Sequence, residues 1–309
     1  MSTVLILRLP HGCCVRTVER MDSRIALVTG ANQNLGRALV AGLASGMTPA
    51  DRVLLTGRDP GRIATAAREL SATNSHGAVI EPRVLDVRDP RAIHDLAADV
   101  GEIDIVFSNA AARMTPDDDP AEIVDVVADT NNVATNAILR EFMPRMRPGG
   151  RLVVVASALG TLDKLPPPAR PRFADAADSD LDAVDRLIDD WRRSVKAGRA
   201  VDDGFGSWLN IPSKVAQVAA VRALARSRRD ADLAQNRLIA ALCPGLIDTG
   251  ASRPWFEDMS QAQTPAQAAS WPVELALSDR FDPAFYGELV QFARVIPWAT
   301  GAAVPATTA

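Results

Sequence analysis

Along the chain, short apolar runs alternate with segments whose apolar residues recur every three or four positions. RIALVT is followed by LGRALVAGLAS, RVLLT by GRIATAAREL, AVIEPRVLDV by RAIHDLAADV, and IDIVFS by a long helical pattern that leads into RLVVVAS. The runs are too short for helices and too continuously apolar for a sheet with one wet face, so they read as strands buried on both sides. Strand and helix taking turns in this way predict a parallel sheet with helices on both faces: an α/β, Rossmann-like, doubly wound fold in a single domain.

The alternation stops after Ser157 and resumes near residue 207. This insertion, about residues 160–207, opens on LPPPARPRF, whose prolines argue against helix or interior strand. Further on, Leu181, Val184, Leu187, Ile188, Trp191 and Val195 recur at helical spacing, so the insertion carries at least one amphipathic helix and packs on the body. It lies between the fifth strand and the helix beginning near PSKVAQVAAVRALARS. The domain is expected to span residues 23–300. Residues 1–22 are expected to be a disordered extension, or to lie upstream of a true start at Met21, and residues 301–309 to be a tail. The short apolar run in MSTVLILRLP has its only early charge, Arg8, behind it, which is not the layout of a signal peptide.

Composition narrows the function. With 309 residues and 47% hydrophobic content the chain can bury a full core. The 34 basic and 38 acidic residues are interspersed and leave a net charge of −4, which speaks against a nucleic-acid surface. No apolar run approaches the roughly eighteen residues of a membrane span. The three cysteines, Cys13, Cys14 and Cys243, form neither a disulfide framework nor a metal-ligand spacing. A cytoplasmic protein acting on a small molecule, without a metal, is the expectation.

The first strand runs directly into TGANQNLGRAL. A glycine-rich turn between strand and helix lets backbone N–H groups at the helix N-terminus approach a pyrophosphate, although such turns also occur as plain turn formers. Gly30 and Gly36 are in place, and Asn34 stands where a middle glycine is usual; asparagine is the side chain that best tolerates a left-handed backbone.

Taken together, TGANQNLG, the LDV of residues 85–87, the SNAA of 108–111 and the CPGLIDTG of 243–250 resemble the short-chain dehydrogenase/reductase family, over roughly residues 24–295. The insertion after Ser157 resembles that of the carbonyl reductase branch and implies a monomer, because there it hinders the helix pairing by which other members assemble. The resemblance implies a nicotinamide dinucleotide held by Gly30, Asn32, Asn34, Leu35, Gly36, Asp86, Val87, Asn109, Ala110, Lys214, Pro244, Gly245, Ile247 and Thr249. At the end of the second strand, LLTGRDPGR offers Arg58 where a carboxylate would select NAD. A guanidinium there suits the extra phosphate of NADP(H), with Asp59 as the reason for caution and a solvated loop arginine as the alternative.

By the same resemblance Ser157 orients substrate, Asn131 in DTNNVAT holds a water of a proton relay, and Lys214 binds the nicotinamide ribose. The family's tyrosine stands four residues before its lysine, and here that position, in SWLNIPSK, is Asn210. The sole tyrosine, Tyr286, lies far along the chain, and none of His11, His76 and His94 is placed to substitute. An amide can hydrogen-bond an oxygen but does not deliver a proton usefully. Pro212 is expected to push Ile211 toward extended geometry and to leave Asn210 just outside the helix.

Three readings follow. The chain is an NADPH oxidoreductase with an atypical site that reduces an activated C=N, C=C or C=O in a small cyclic or aromatic metabolite. Alternatively it is a non-redox isomerase or cyclase on this fold, or a catalytically silent nucleotide-binding protein. The site's walls are expected from residues 158–173 and 249–259. Trp255 and Phe256 would make an aromatic pocket unless they are ordinary core residues. Asp163 is a substitute acid, a cation-stabilising carboxylate, or a solvated loop residue.

Overall fold

The computed structural model describes residues 23–299. The expected N-terminal extension of residues 1–22 and the tail of 301–309 lie outside the described residues. The sheet-forming half alternates as the apolar pattern requires: β1 (Ile25–Val28), α1 (Asn34–Gly46), β2 (Arg52–Gly57), α2 (Pro60–Thr73), β3 (Val79–Val84), α3 (Pro90–Val100) and β4 (Ile103–Ser108). Then come α4 (Pro120–Ala128), α5 (Ala134–Phe142) and β5 (Met146–Val155). The insertion carries α6 (Arg170–Ala177) and α7 (Leu181–Lys196), and the chain ends with α8 (Asn210–Arg226), α9 (Arg229–Ala234), β6 (Leu238–Leu242), α10 (Pro265–Leu277), β7 (Leu289–Gln291) and β8 (Arg294–Ile296).

The strands form one sheet in the order β3-β2-β1-β4-β5-β6-β7-β8, the doubly wound arrangement. Every residue of β1, β4 and β6 is buried, as strands covered on both faces must be. Helix α1 packs against α10, while α3 packs on α5 and α5 on α8. Sequence order reverses between β1 and β4, which are paired directly, so the crevice beyond their carboxyl ends is where such sheets bind ligands.

Four details depart from the sequence reading. First, the sheet is not wholly parallel, because β8 turns back and pairs antiparallel with β7, Val290 facing Val295. Its hairpin turn holds Phe292 and Ala293 at φ of 47° and 58°. Second, the proline-rich opening of the insertion is helical from Arg170, because Pro171 sits in the first turn, where its missing N–H has no partner to lose. Third, the long helix before β5 is interrupted by a π-helical turn at Asp129–Val133. Fourth, Asn210 is the first residue of α8 and Ile211 is helical. Pro212 is third in the helix, so the carbonyl its ring would crowd belongs to Trp208, ahead of the helix, and the local preference of Ile211 yields.

The insertion is a packed part of the body. Helix α7 lies on α4 and α8, and α6 on α8. Trp191, Ile188 and Val184 are buried on the inner face of α7, and Arg192 pairs with Asp129 of the π-helical turn. The stretch after β8 reaches the start of the insertion: Leu162 N–H donates to the carbonyl of Trp298 at 2.9 Å. No helix among the described residues is long and apolar enough to cross a membrane.

Candidate active site

The first turn after β1 is laced to the end of β4. Thr29 is fully buried, and its hydroxyl oxygen accepts the N–H groups of Asn109 and Ala110, each at 2.9 Å. The Asn109 amide donates to the carbonyls of Thr29 and Gly30 at 2.8 and 3.3 Å. Gly30 has φ of 62° and a Cβ there would stand 2.9 Å from the Ala110 Cα, while one on Gly36 would stand 2.4 Å from the Gly30 oxygen. Both glycines are therefore required by close approach. Asn34 has φ of 49°, the left-handed conformation its residue type tolerates.

Gln33, which precedes α1, makes no side-chain cap, so the first N–H groups of the helix are not claimed by a capping residue. Leu35 turns into the core and Asn32 lies beside Gly57 at the end of β2. A cradle of backbone donors at a helix N-terminus, walled by glycines that admit no side chain, fits the pyrophosphate of a dinucleotide.

The far end of this crevice carries Arg58. Arg58 follows β2, is exposed, and makes no ion pair among the described residues. The neighbouring Asp59 caps α2, its carboxylate accepting Arg62 N–H at 3.0 Å. Asp86 accepts the guanidinium of Arg88 at 2.6 Å, and that bond, with Arg58 adding its charge, holds its carboxyl below the usual range. Val87 is buried beside it. The donor set suits a phosphate on the ribose better than free hydroxyls.

The polar residues behind the site are knitted together. Asn131 lies in the π-helical turn, its side-chain oxygen accepting Ala112 N–H at 2.8 Å and its amide donating to the Ser213 hydroxyl at 3.0 Å. Lys214 is next along α8. Its Nζ donates to Gln217 Oε1 at 2.9 Å and to the Val155 carbonyl at 3.4 Å, two residues before Ser157. Burial lowers the Lys214 amine to about 8. Ser157 caps a short turn, accepting Leu159 N–H at 3.2 Å, which leaves its O–H free to donate. Asn210 is one helical turn before Lys214 and therefore on the same face of α8. Tyr286 is elsewhere: its ring is buried and its hydroxyl donates to Asp232 at 2.7 Å.

The loop after β6 forms the mouth. Gly245 has φ of 84°, and Gln263 holds the turn by donating to the Pro244 carbonyl at 3.1 Å. Ile247 bridges to Gln263, and the Thr249 hydroxyl accepts Ala251 N–H and Ser252 N–H. Trp255 is brought against Trp208, and its indole N–H donates to the Met114 carbonyl at 3.2 Å. Phe256 is 47% exposed. Asp163 accepts the Thr161 hydroxyl and pairs with Lys164 at 3.4 Å; the Thr161 bond first, then that ammonium, keeps its carboxyl ionised. A carboxyl held below its usual range is a poor proton donor.

Sequence reasoning missed Thr29, Trp208, Ser213 and Gln217. Trp208 lies within the SWLNIPSK segment, two residues before Asn210, and an aromatic so near the site was the available signal. Gln217 follows Lys214 by three, a spacing that places both on one face.

Residues 24–166 match the family described as short chain dehydrogenase. Over 292 residues the chain is 30% identical to carbonyl reductase (NADPH) 3 of Mus musculus, covering 89% of this chain and 99% of that protein. It is 28% identical over 284 residues to carbonyl reductase (NADPH) 1 of Sus scrofa, covering 90% and 95%. The fold is similar to that of salutaridine reductase from Papaver somniferum, with a TM-score of 0.72, 20% identity, and coverage of 86% of this chain and 99% of that one.

Proposed function

We propose that this chain, which belongs to the short-chain dehydrogenase/reductase family and is carbonyl reductase-like, is an NADPH-dependent oxidoreductase that acts on an electrophile already activated before reduction. The cofactor assignment is supported by the relatives named as NADPH enzymes and by Arg58, which is exposed just after β2 and makes no ion pair among the described residues. Gly30, Asn32, Asn34, Leu35 and Gly36 would hold the pyrophosphate end. Arg58, Asp86 and Val87 would hold the adenosine end. Asn109, Ala110, Lys214 and residues Pro244, Gly245, Ile247 and Thr249 would hold the nicotinamide end.

The observation that supports the reading is that Asn210, which bears an amide, opens α8 one helical turn before Lys214, while Asn131 bonds Ser213 beside that lysine and Lys214 reaches the Val155 carbonyl two residues before Ser157. When bound, the nucleotide supplies hydride but no proton. A ketone needs both, and a positioned acid is worth about 10²–10⁴-fold. An iminium carbon needs hydride alone and yields a neutral amine, so loss of the acid costs little. A conjugated C=C is the neighbouring case, with Ser157 O–H and the Asn210 amide donating to the developing enolate oxygen. Trp208 and Trp255 supply an aromatic wall, and Asp163 as a carboxylate favours a cation nearby. The substrate class is thus a small cyclic, aromatic-flanked metabolite. A monomer is favoured by α6 and α7 covering α8 and α4.

The test is NADPH deuterated at the transferred position, offered with a panel of cyclic iminium ions and enones. Label in the reduced product supports the assignment. Product formed without label moves the chain to the isomerase or cyclase reading, and tight NADPH binding with no product to the silent one.

A further inference from the structure

We propose that Gln217 is a positioning residue that holds the Lys214 amine and fills the place of a relay water between Lys214 and the backbone of Asn131. The inference rests on the reading of Lys214 and Asn131 as site residues. Its basis is a row of three hydrogen bonds in the interior. Lys214 Nζ donates to Gln217 Oε1 at 2.9 Å, Gln217 Nε2 donates to Thr135 Oγ1 at 3.3 Å, and Thr135 Oγ1 donates to the Asn131 carbonyl at 2.6 Å. Gln217, Thr135 and Asn131 are 1%, 2% and 1% exposed.

Every bond in this row points the same way and ends on a peptide carbonyl. A water in the middle could accept a proton from one side and release one to the other, but a carboxamide near neutral pH does neither at a useful rate. The row therefore fixes geometry and conducts no protons. Two breaks then lie in series along the route by which protons would be resupplied: the amide of Asn210 at the substrate end and the amide of Gln217 at the buried end.

Gln217 also opposes the effect of burial on Lys214, since a carbonyl acceptor favours the charged amine. The other groups facing that amine are the Val155 carbonyl from β5 and the Cys243 thiol from the end of β6, which burial pushes up and so keeps neutral. Truncating Gln217 would open room for one or two waters, at roughly 30 Å³ each. The gap would be lined by Lys214 Nζ, the Thr135 hydroxyl and the Asn131 carbonyl, three partners of the kind a buried water requires.

The first experiment needs no nucleotide. Lysine acylation by a small reagent is followed across pH by mass spectrometry, with the exposed Lys164 and Lys196 as internal references. Q217E should move the Lys214 profile upward by about one pH unit or more, Q217L should move it downward, and the references should stay in place. An unchanged Lys214 profile in both variants overturns the proposal. The second experiment compares N210Y with N210Y/Q217A, and with N210Y/Q217S should the alanine variant fold poorly, on a simple ketone with NADPH. The double variant should exceed N210Y by about 10-fold or more, a part of the about 10²–10⁴-fold that a positioned acid provides, while Q217A alone gains less than about twofold. Equal rates for N210Y and the double variant overturn the relay assignment. Failure of every variant to bind NADPH would count against the proposed function, and the acylation profiles would still decide the role of Gln217.

Discussion

The indole rings of Trp208 and Trp255 meet with centroids 5.4 Å apart and planes inclined at 40°, joining the segment before α8 to the loop after β6. Stacked aromatic pairs contribute about 0.5–1.5 kcal/mol beyond their area. Trp255→Ala should therefore raise KM for an aromatic-flanked substrate about 2- to 13-fold, with kcat changed less. Steady-state kinetics with one such substrate and one aliphatic analogue checks this, the analogue being expected to lose little.

Arg58→Ala should weaken NADPH binding about 10- to 150-fold, the equivalent of a charge-assisted contact of roughly 1.5–3 kcal/mol. NADH binding should hold within about twofold, because its ribose brings no phosphate to that end. Fluorescence titration of both nucleotides distinguishes the outcomes, and equal losses for the two would refute selection by Arg58.

Asn210→Tyr should raise the reduction of simple ketones at neutral pH, toward the about 10²–10⁴-fold that a positioned acid provides. Because Asn210 is helical, a tyrosine there projects from the same face as Lys214. Wild-type protein that already reduces ordinary ketones briskly would show that the amide is no handicap.

Lys214 gives stability a signature in pH. Its amine is lowered to about 8 from an ordinary value of 10.5. Between those values the unfolded chain binds a proton that the folded chain has released, so this residue makes stability rise with pH across that window and contributes a constant penalty below it. Lys214→Met should be more stable than wild type at pH 7 and should lose the rise between pH 8 and 10.5. Chemical denaturation at several pH values reads both.

Tyr286→Phe should cost about 1.5–3 kcal/mol of stability, the value of a hydrogen bond to a charged acceptor, because its hydroxyl serves the buried Asp232. Nucleotide affinity should be unchanged in the same preparation, in keeping with a tyrosine that has no part in the chemistry.

What was legible in the sequence follows from how each feature is encoded. Strands β1 and β4 and the Leu152–Val155 end of β5 announce themselves because both their faces are buried, and that demands a mainly apolar run. The positions of Ser157, Asn131 and Lys214 in the fold were legible, because short local segments put them just after a strand end, in a helical turn and on a helix. Strand β8 was not, since three residues, RVI, carry no period, and the pairing of Val295 with Val290 decides their conformation. Helix α6 and the first turn of α8 were misread for a related reason. The rules for proline describe helix interiors, and both Pro171 and Pro212 stand where the helix has N–H groups to spare. The hydrogen bond from Gln217 to Thr135 joins segments distant in the chain, and no spacing along the sequence encodes it.

The pairing of β8 with β7 and the bond from Leu162 to Trp298 make one short terminal stretch answerable for two separate places. A chain shortened after Gln291 would present β7 as a bare rim, with unpaired N–H and C=O groups open to another molecule's strand. It would also deprive Leu162 of its acceptor, five residues from Ser157, so one cut would bring both clumping at the sheet's border and slackness beside the chemistry.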